Sequence, residues 1–297
     1  MGYLVRFVRI MVKERWAYYF ILPGYAIFLI FNFIPMIRTF VISFYDYNLV
    51  KQTFVGFRNY TDLFTDSVFR ASVMNSIKFA LIITPISTAV SLLIAVTIFP
   101  MRNWMQSIFR GAFFLPNVVG GVIVSAIWLW IYHPVYGILN YLLSLFGAEP
   151  VYWLANVSTA LNSASFVVLT WTCGTLIIIF VAALGTISPT LYEAAKIDGA
   201  SPVRIFFRIT LPMLKSITAF VVITQLIFSF QIWEVVYLLT DGGPFNSTTT
   251  LVFDMYKRAF VRGDYGGASA EGMILVLIIS VFALLSWYLF SERGERA

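Results

Sequence analysis

The chain has 297 residues and a formal charge of +6. It is 60% hydrophobic and only 11% charged, where a soluble domain carries about 25% charged residues and folding hides at most about 75% of a chain's surface. This excludes a soluble globular protein and requires a bilayer as solvent. The basic residues stand in short blocks between apolar runs, as membrane-flanking charges do, which excludes a nucleic-acid partner, and the single cysteine, Cys173, excludes an intrachain disulfide.

Arg6, Arg9, Lys13 and Arg15 precede an apolar stretch over 17–44. A secretory signal has an apolar region of about 7–15 residues and a small-residue cleavage site. This stretch is longer and has no such site, so it predicts an uncleaved first membrane helix. A spanning helix needs roughly 20 apolar residues, and the predicted spans cover 16–44, 76–99, 108–132, 161–184, 217–239 and 272–290. The first is long enough to tilt or to leave the bilayer before Phe44. Backbone groups in lipid must bond within their own segment, so these runs are helices. A β-barrel would show strictly alternating strands of about 10 residues, and none is seen. The fold class is all-α membrane protein with six transmembrane helices.

Basic residues set the orientation. With the N-terminus inside, the inner segments hold Arg6, Arg9, Lys13, Arg15, Arg102, Arg110, Lys196, Arg204, Arg208, Lys215, Arg293 and Arg296. The outer segments hold Lys51, Arg58, Arg70, Lys257, Arg258 and Arg262, with Lys78 near the border, and 133–160 has no Lys or Arg. Both termini are therefore expected in the cytoplasm. The chain divides into an N-terminal segment, first helix and outer loop (1–70), a five-helix core (71–290) and a cytoplasmic tail (291–297).

The inner loop over 185–215 carries the most information. Ser188-Pro189 is an N-cap followed by proline at the first helical position. Glu193-Ala194-Ala195-Lys196 is strong helix former, and Gly199 is a natural stop because it takes a positive φ without a Cβ clash. Ser201-Pro202 repeats the start signal, and Pro212 breaks or kinks the second helix. The prediction is two short helices joined at a glycine, forming a small rigid knob that projects Glu193 and Lys196.

Glu193-Ala194-Ala195, then Gly199, then Ile209 and Leu211-Pro212, resembles the "EAA" signature of ABC importer permeases. The fuller run Tyr192-Glu193-Ala194-Ala195-Lys196-Ile197-Asp198-Gly199-Ala200-Ser201-Pro202 resembles the carbohydrate-uptake branch of that family. Leu239-Thr240-Asp241-Gly242-Gly243-Pro244 is turn chemistry in its own right, and with Ser247-Thr248-Thr249 it resembles an external turn of the same branch. Val55-Gly56-Phe57-Arg58-Asn59-Tyr60 and Leu63-Phe64 resemble that branch too. The resemblance implies the type-I importer permease fold in its six-helix form, without the large outer insertion of the maltose-type permease. It implies a loop that docks on a cytoplasmic ATPase through Glu193, Ala194, Ala195, Asp198, Gly199, Ile209, Leu211 and Pro212. It further implies a second homologous permease, two ATPase subunits that use ATP and Mg, and an extracellular or periplasmic solute-binding protein. The implied location is the bacterial plasma membrane, in contact with lipid.

Polar side chains inside a membrane helix usually face a bundle interior or a water-filled path. Trp171, Gly174 and Thr175 lie on the fourth predicted helix, and Gln225, Phe228, Ser229, Ile232 and Trp233 on the fifth. Gln225, Phe228, Ser229 and Ile232 recur at helical spacing. Hydroxyl partners beside a flat aromatic surface suit a sugar, and the resemblance implies a substrate path through these helices. Small and hydroxyl residues also serve plain helix packing, as Asn32, Asn75, Thr84 and Ser87 would. Glu234 is the one clear carboxylate of the fifth helix and is placed near the outer interface.

No phosphate-binding Gly-rich loop ending in Gly-Lys-Ser/Thr is present, so no ATP site is expected. One His and one Cys do not make a usual zinc site, and no Ser–His nucleophile pair is evident. The expected role is non-enzymatic import of a disaccharide, oligosaccharide, polyol or glycerol-3-phosphate. The scarcity of basic residues within the helices weighs against a phosphorylated solute. An ion- or proton-coupled secondary transporter is the alternative, although midplane carboxylates are few. A membrane assembly factor is a third class.

Overall fold

The computed structural model describes residues 15–290. The basic Arg6, Arg9 and Lys13 and the tail over 291–297 lie outside the described residues. Among the described residues, four helices are long and apolar enough to cross a membrane. Two bent helix pairs bring the count to six when each pair is taken as one span.

The first span is α1 (Arg15–Phe28) joined through a π-turn at Leu29–Phe33 to α2 (Ile34–Ile42). None of its best apolar window is buried within the chain. An element apolar on every side needs lipid or another subunit around it.

The segment after α2, read from sequence as an irregular polar-aromatic loop, contains a β-hairpin. Strand β1 (Tyr45–Asn48) pairs antiparallel with β2 (Lys51–Phe54). Asn48 Oδ1 accepts from the amides of Val50 (3.2 Å) and Lys51 (2.8 Å), closing the turn from its first corner. After α3 (Arg58–Thr65), Asp66 caps α4 (Ser67–Ile98) by accepting from the Val68 amide at 2.8 Å. This cap starts the helix nine residues earlier than the predicted span at Ser76.

Helix α4 buries Ser72, Ser76, Ala80, Thr84, Ser87, Ser91 and Ala95. Small residues at this spacing form one shallow face, against which neighbouring helices approach closely. That neighbour is α8 (Ala160–Leu184) over much of its length, with α12 (Lys215–Phe230) beside it. Phe79, Ile83, Val167 and Val168 fill one core cluster, and Leu92, Ile98, Ile177, Phe180 and Val221 fill another.

Two predicted spans are interrupted. The run over 108–132 is α5 (Asn103–Val119) and α6 (Gly121–Ile131), bent by 93° at Gly120, whose φ of +84° favours glycine. The run over 217–239 stops at Phe230 and resumes as α13 (Glu234–Leu239). Apolar periodicity runs through both breaks, so composition could not reveal them. In the second, the Ile232 carbonyl is taken by the Thr250 hydroxyl at 2.6 Å, eighteen residues away. A short helix, α7 (Ile138–Ser144), links α6 to α8.

One end of the bundle carries the 185–215 loop and the other carries the hairpin. At the hairpin end, α13 leads through a turn at Gly242 (φ +84°) to α14 (Leu251–Tyr256) and then α15 (Tyr265–Phe290). The Thr248-Thr249-Thr250 run is buried and holds this turn. Thr248 pairs with Thr240 at 2.7 Å, and Thr249 donates to the Gly242 carbonyl at 3.1 Å. Asn75 Nδ2 donates to the carbonyls of Asn246 and Thr249, and Ser76 Oγ accepts from the Leu251 amide, which docks the turn on α4.

Beside this turn Arg258, 8% exposed, is ringed by three carboxylates. It pairs with Asp66 at the α4 cap, with Asp254 at 3.1 Å and with Glu271 of α15 at 3.1 Å. Arg262 adds a second contact to Asp254 at 3.2 Å. Burial opposes the charge on Asp66, but the Val68 amide and the Arg258 guanidinium outweigh it and hold its carboxyl below the usual range. A depressed carboxyl contributes stability above its unfolded pKa and loses it as pH falls through the folded one.

Arg258→Ala leaves buried carboxylates unpaired and is expected to cost ~3–5 kcal/mol, read as a lower midpoint in denaturant unfolding of the purified protein. An unchanged midpoint would show that this ion cluster does not hold the hairpin end together. Asp66→Asn is expected to flatten the loss of stability on acidification below about pH 4, measured as thermal midpoint against pH.

Candidate functional site

Two places on the chain are candidate sites, and the first is the loop. Helix α9 (Pro189–Ile197) begins at Ser188 with proline at its first position. The Ser188 hydroxyl does not cap the backbone as expected from sequence; it pairs with the Thr190 hydroxyl at 2.8 Å. The stop at Gly199 is as read: its φ is +72°, its amide donates to the Lys196 carbonyl (3.1 Å), and the Ala200 amide donates to the Ala195 carbonyl (2.9 Å). That bond pair is a complete Schellman closure, which uses up the carbonyls a helix end leaves free.

Ser201 caps the next helix, α10 (Pro202–Ile205), by accepting from the Arg204 amide at 3.3 Å. The chain continues through a π-turn at Phe206–Thr210 into α11 (Leu211–Met213), and the axis bends 70° at Leu214 before α12. The loop is tied to the bundle from beneath. Tyr192 hydroxyl meets Thr210 Oγ1 at 3.3 Å, while Tyr192, Phe206 and Leu211 pack against the Leu184–Leu214 end of the core.

The loop residues expected to dock therefore divide. Glu193, Ala194, Asp198, Gly199 and Pro212 are exposed, Ala195 is partly covered, and Ile209 and Leu211 lie half-buried. Ile197 (86% exposed), Val203 and Phe207 stand bare on the same loop, and sequence reasoning did not single them out as contact residues. The signal available was their apolar character on short helices otherwise lined by charge. Bare apolar residues rimmed by polar ones mark an interaction surface.

The second place is a recess of about 280 Å³ between α5, α8 and α12. It brings together Trp171, Thr175, Gln225 and Phe228 from the predicted set, and adds Asn117, Thr172 and Thr224. Trp171 and Phe228 meet edge to face, centroids 5.5 Å apart at 81°. Asn117 Nδ2 donates to the Trp171 carbonyl at 3.3 Å, linking the end of α5 to the middle of α8. Two buried donors here, Trp171 Nε1 and Gln225 Nε2, have no partner. Unpaired buried donors are costly, and a site for a hydroxylated ligand is one reason to keep them.

The other predicted path residues sit elsewhere. Gly174 is a packing glycine, since a Cβ there would stand 2.3 Å from the Phe113 carbonyl oxygen. Ser229 is buried between helices, donating to the Gln225 carbonyl (2.8 Å) and pairing with Thr84 (3.3 Å). Ile232 is in the core. Trp233, beyond the break, stacks on Tyr256 at 5.2 Å and lines a separate cavity at the hairpin end. A continuous helix would have put these residues on one face, and the break at 231–233 removes Ile232 and Trp233 from it. Glu234 begins α13, and its carboxylate lies against Gly121 beside the Trp171 ring.

No protein-family model matches the chain. It is 31% identical over 284 residues to the probable ABC transporter permease protein YurN of Bacillus subtilis, covering 94% of this chain and 97% of that protein. The chain belongs to the family of ABC transporter permeases. The permease is also 31% identical to the trehalose/maltose transport system permease protein MalF of Thermococcus litoralis, over 96% of each chain. It is 31% identical to the lactose transport system permease protein LacF of Rhizobium radiobacter, over 92% of this chain and 93% of that one. In fold the permease matches a chain of a bacterial ABC transporter involved in import of the acidic polysaccharide alginate, with a TM-score of 0.86 at 23% identity, covering 98% of this chain. The permease is thus an all-α, multi-pass membrane protein of the ABC importer type.

Gly174→Ala would force α8 away from α5 and is expected to cost ~1–3 kcal/mol as an overpacked contact, read in thermal unfolding of the permease. Thr175→Ala, at the next residue but facing the recess, should leave that midpoint in place. Equal midpoints for both would mean that the α5–α8 contact gives way freely.

Proposed function

We propose that this chain is a pore-forming subunit of an ATP-driven importer for a sugar or related solute. It pairs with a second homologous permease and two ATPase subunits, and an external solute-binding protein delivers the cargo. It lies in a bacterial plasma membrane with both termini cytoplasmic, so the loop end faces the ATPases and the hairpin end faces the binding protein. The subunit itself hydrolyses nothing; ATP and Mg belong to the partner.

The observation that carries this reading is the α9 knob. It is closed at Gly199 by its own backbone, exposed at Glu193, Ala194, Asp198 and Ile197, and anchored beneath by Tyr192 and Leu211 to the helix ends. A part that is rigid, bare and coupled to the core passes on a push. Closure of the ATPases around ATP would move it, and the 70° bend at Leu214 would convey the displacement into α12, which lines the recess. Such a shift needs the motor to bind the two conformations unequally. The recess, with its aromatic ring pair and unpaired donors, supports a hydroxylated cargo. The sugar-transport relatives support the same class.

Gly199→Val places a β-branched residue at a positive φ, a strain of ~1–2 kcal/mol. The variant is expected to insert in the membrane but to lose solute import by about tenfold, the rate equivalent of ~1.4 kcal/mol, while ATP hydrolysis by the assembled complex becomes independent of the binding protein. Proteoliposome uptake alongside ATPase assay measures both. Normal import by Gly199→Val, or uptake that follows an ion gradient with ATP absent, would overturn the coupling assignment.

A further inference from the structure

Glu234 opens α13, just past the break that ends α12. Its carboxylate makes no hydrogen bond or ion pair with any described residue. Its Oε1 lies 2.2 Å from the point a Gly121 Cβ would occupy, and the Trp171 ring lies 3.3 Å from the same point. The carboxylate and the indole therefore flank one bare stretch of backbone, where the two interrupted spans meet.

Trp171 joins this spot to the recess, which it lines with Gln225; Trp171 Nε1 and Gln225 Nε2, the latter on a residue 5% exposed, are both without a partner. A sugar offers hydroxyls to a carboxylate and oxygens to such donors, so the same ligand chemistry suits Glu234 and the recess beside it. The Trp171 and Phe228 rings supply an apolar face for the ring carbons. No Lys or Arg lines the recess among the described residues. Arg110 of α5 stands two turns from Asn117, ~10 Å along the axis, with its Nε donated to the Gln106 carbonyl at 3.2 Å.

We propose that Glu234 sets the charge of the cargo: its carboxylate receives hydroxyls of an uncharged glycan and repels a carboxylated or phosphorylated one. This rests on the recess being part of the substrate path. A second anion brought beside an unpaired carboxylate in a partly desolvated site is disfavoured by Coulomb repulsion with no cation to offset it. The fold does not impose the choice, since the alginate importer of like fold serves an acidic polysaccharide.

The test uses the assembled complex in detergent, without the binding protein, and equilibrium dialysis with radiolabelled maltotriose and trigalacturonate. The wild type should bind maltotriose and hold trigalacturonate at least about tenfold more weakly. Glu234→Gln, of the same shape, should gain trigalacturonate by about that factor, and Glu234→Asp should keep the discrimination. Equal binding of both probes by the wild type, or no gain in Glu234→Gln, overturns the charge rule. Trp171→Ala separates this from the reading beneath it. If it abolishes maltotriose binding while the wild type takes both probes equally, only the charge rule fails. If it leaves maltotriose binding intact, or if the wild type binds neither probe, the recess is not the path.

Discussion

Inside a bilayer no water is at hand for a loose amide or carbonyl, so the backbone is interrupted only where protein groups take over. The two interruptions of this permease obey that constraint, and its functional geometry follows from them. At the break after Phe230, the Thr250 hydroxyl satisfies the Ile232 carbonyl, and the Trp233 carbonyl starts α13 by accepting from Tyr237. At Gly120 the break is satisfied along the chain itself, with the Gly120 amide donating to Pro116 and its carbonyl accepting from Val124. Because both ends are satisfied, the two breaks are ordered bends, and they face one another across Gly121 and Glu234. Uninterrupted helices would have filled that space with side chains.

The same logic explains why the hairpin end is polar yet buried. Thr248 and Thr249 answer carbonyls of a tight turn, Thr250 answers the Ile232 carbonyl, Asn75 and Ser76 answer groups of the segment above α4, and Arg258 gathers Asp66, Asp254 and Glu271 from three separate elements. Each group removed would strand its partner away from water, which is the expensive outcome for buried polar atoms. The loop end is built differently. Its short helices close themselves through the Gly199 turn and the Ser201 cap, so their outer surface is free of structural duty. One end is tied inward and the other is left bare, a division that suits a fixed scaffold with a single handle.

Much of this was legible in the residues. The Ser-Pro starts, the Gly199 stop and the Pro212 region are local signals, and the loop follows them closely; only the Ser188 hydroxyl took another partner. The spans over 161–184 and 272–290 were likewise plain, because an unbroken apolar run in lipid has one solution. The hairpin over Tyr45–Phe54 was missed because its strands are four residues each and mixed in polarity, too short for alternation to register. The residues expected along a path come together only in part. Trp171, Gln225 and Phe228 do converge, but Ser229 turns inward to Thr84 and Gly174 is spent on contact with α5.

Composition and local motif, then, determined on their own that this is a helical membrane protein with a rigid knob at one loop, since both follow from solvent and from neighbours a few residues apart. Tertiary structure alone decided where the spans bend, which polar residues face the recess, and that Glu234 stands beside Trp171. Those outcomes depend on partners distant in sequence, such as Thr250 for Ile232 and Gly121 for Glu234, and a hydrophobic run reads the same whether or not such a partner arrives to let it break.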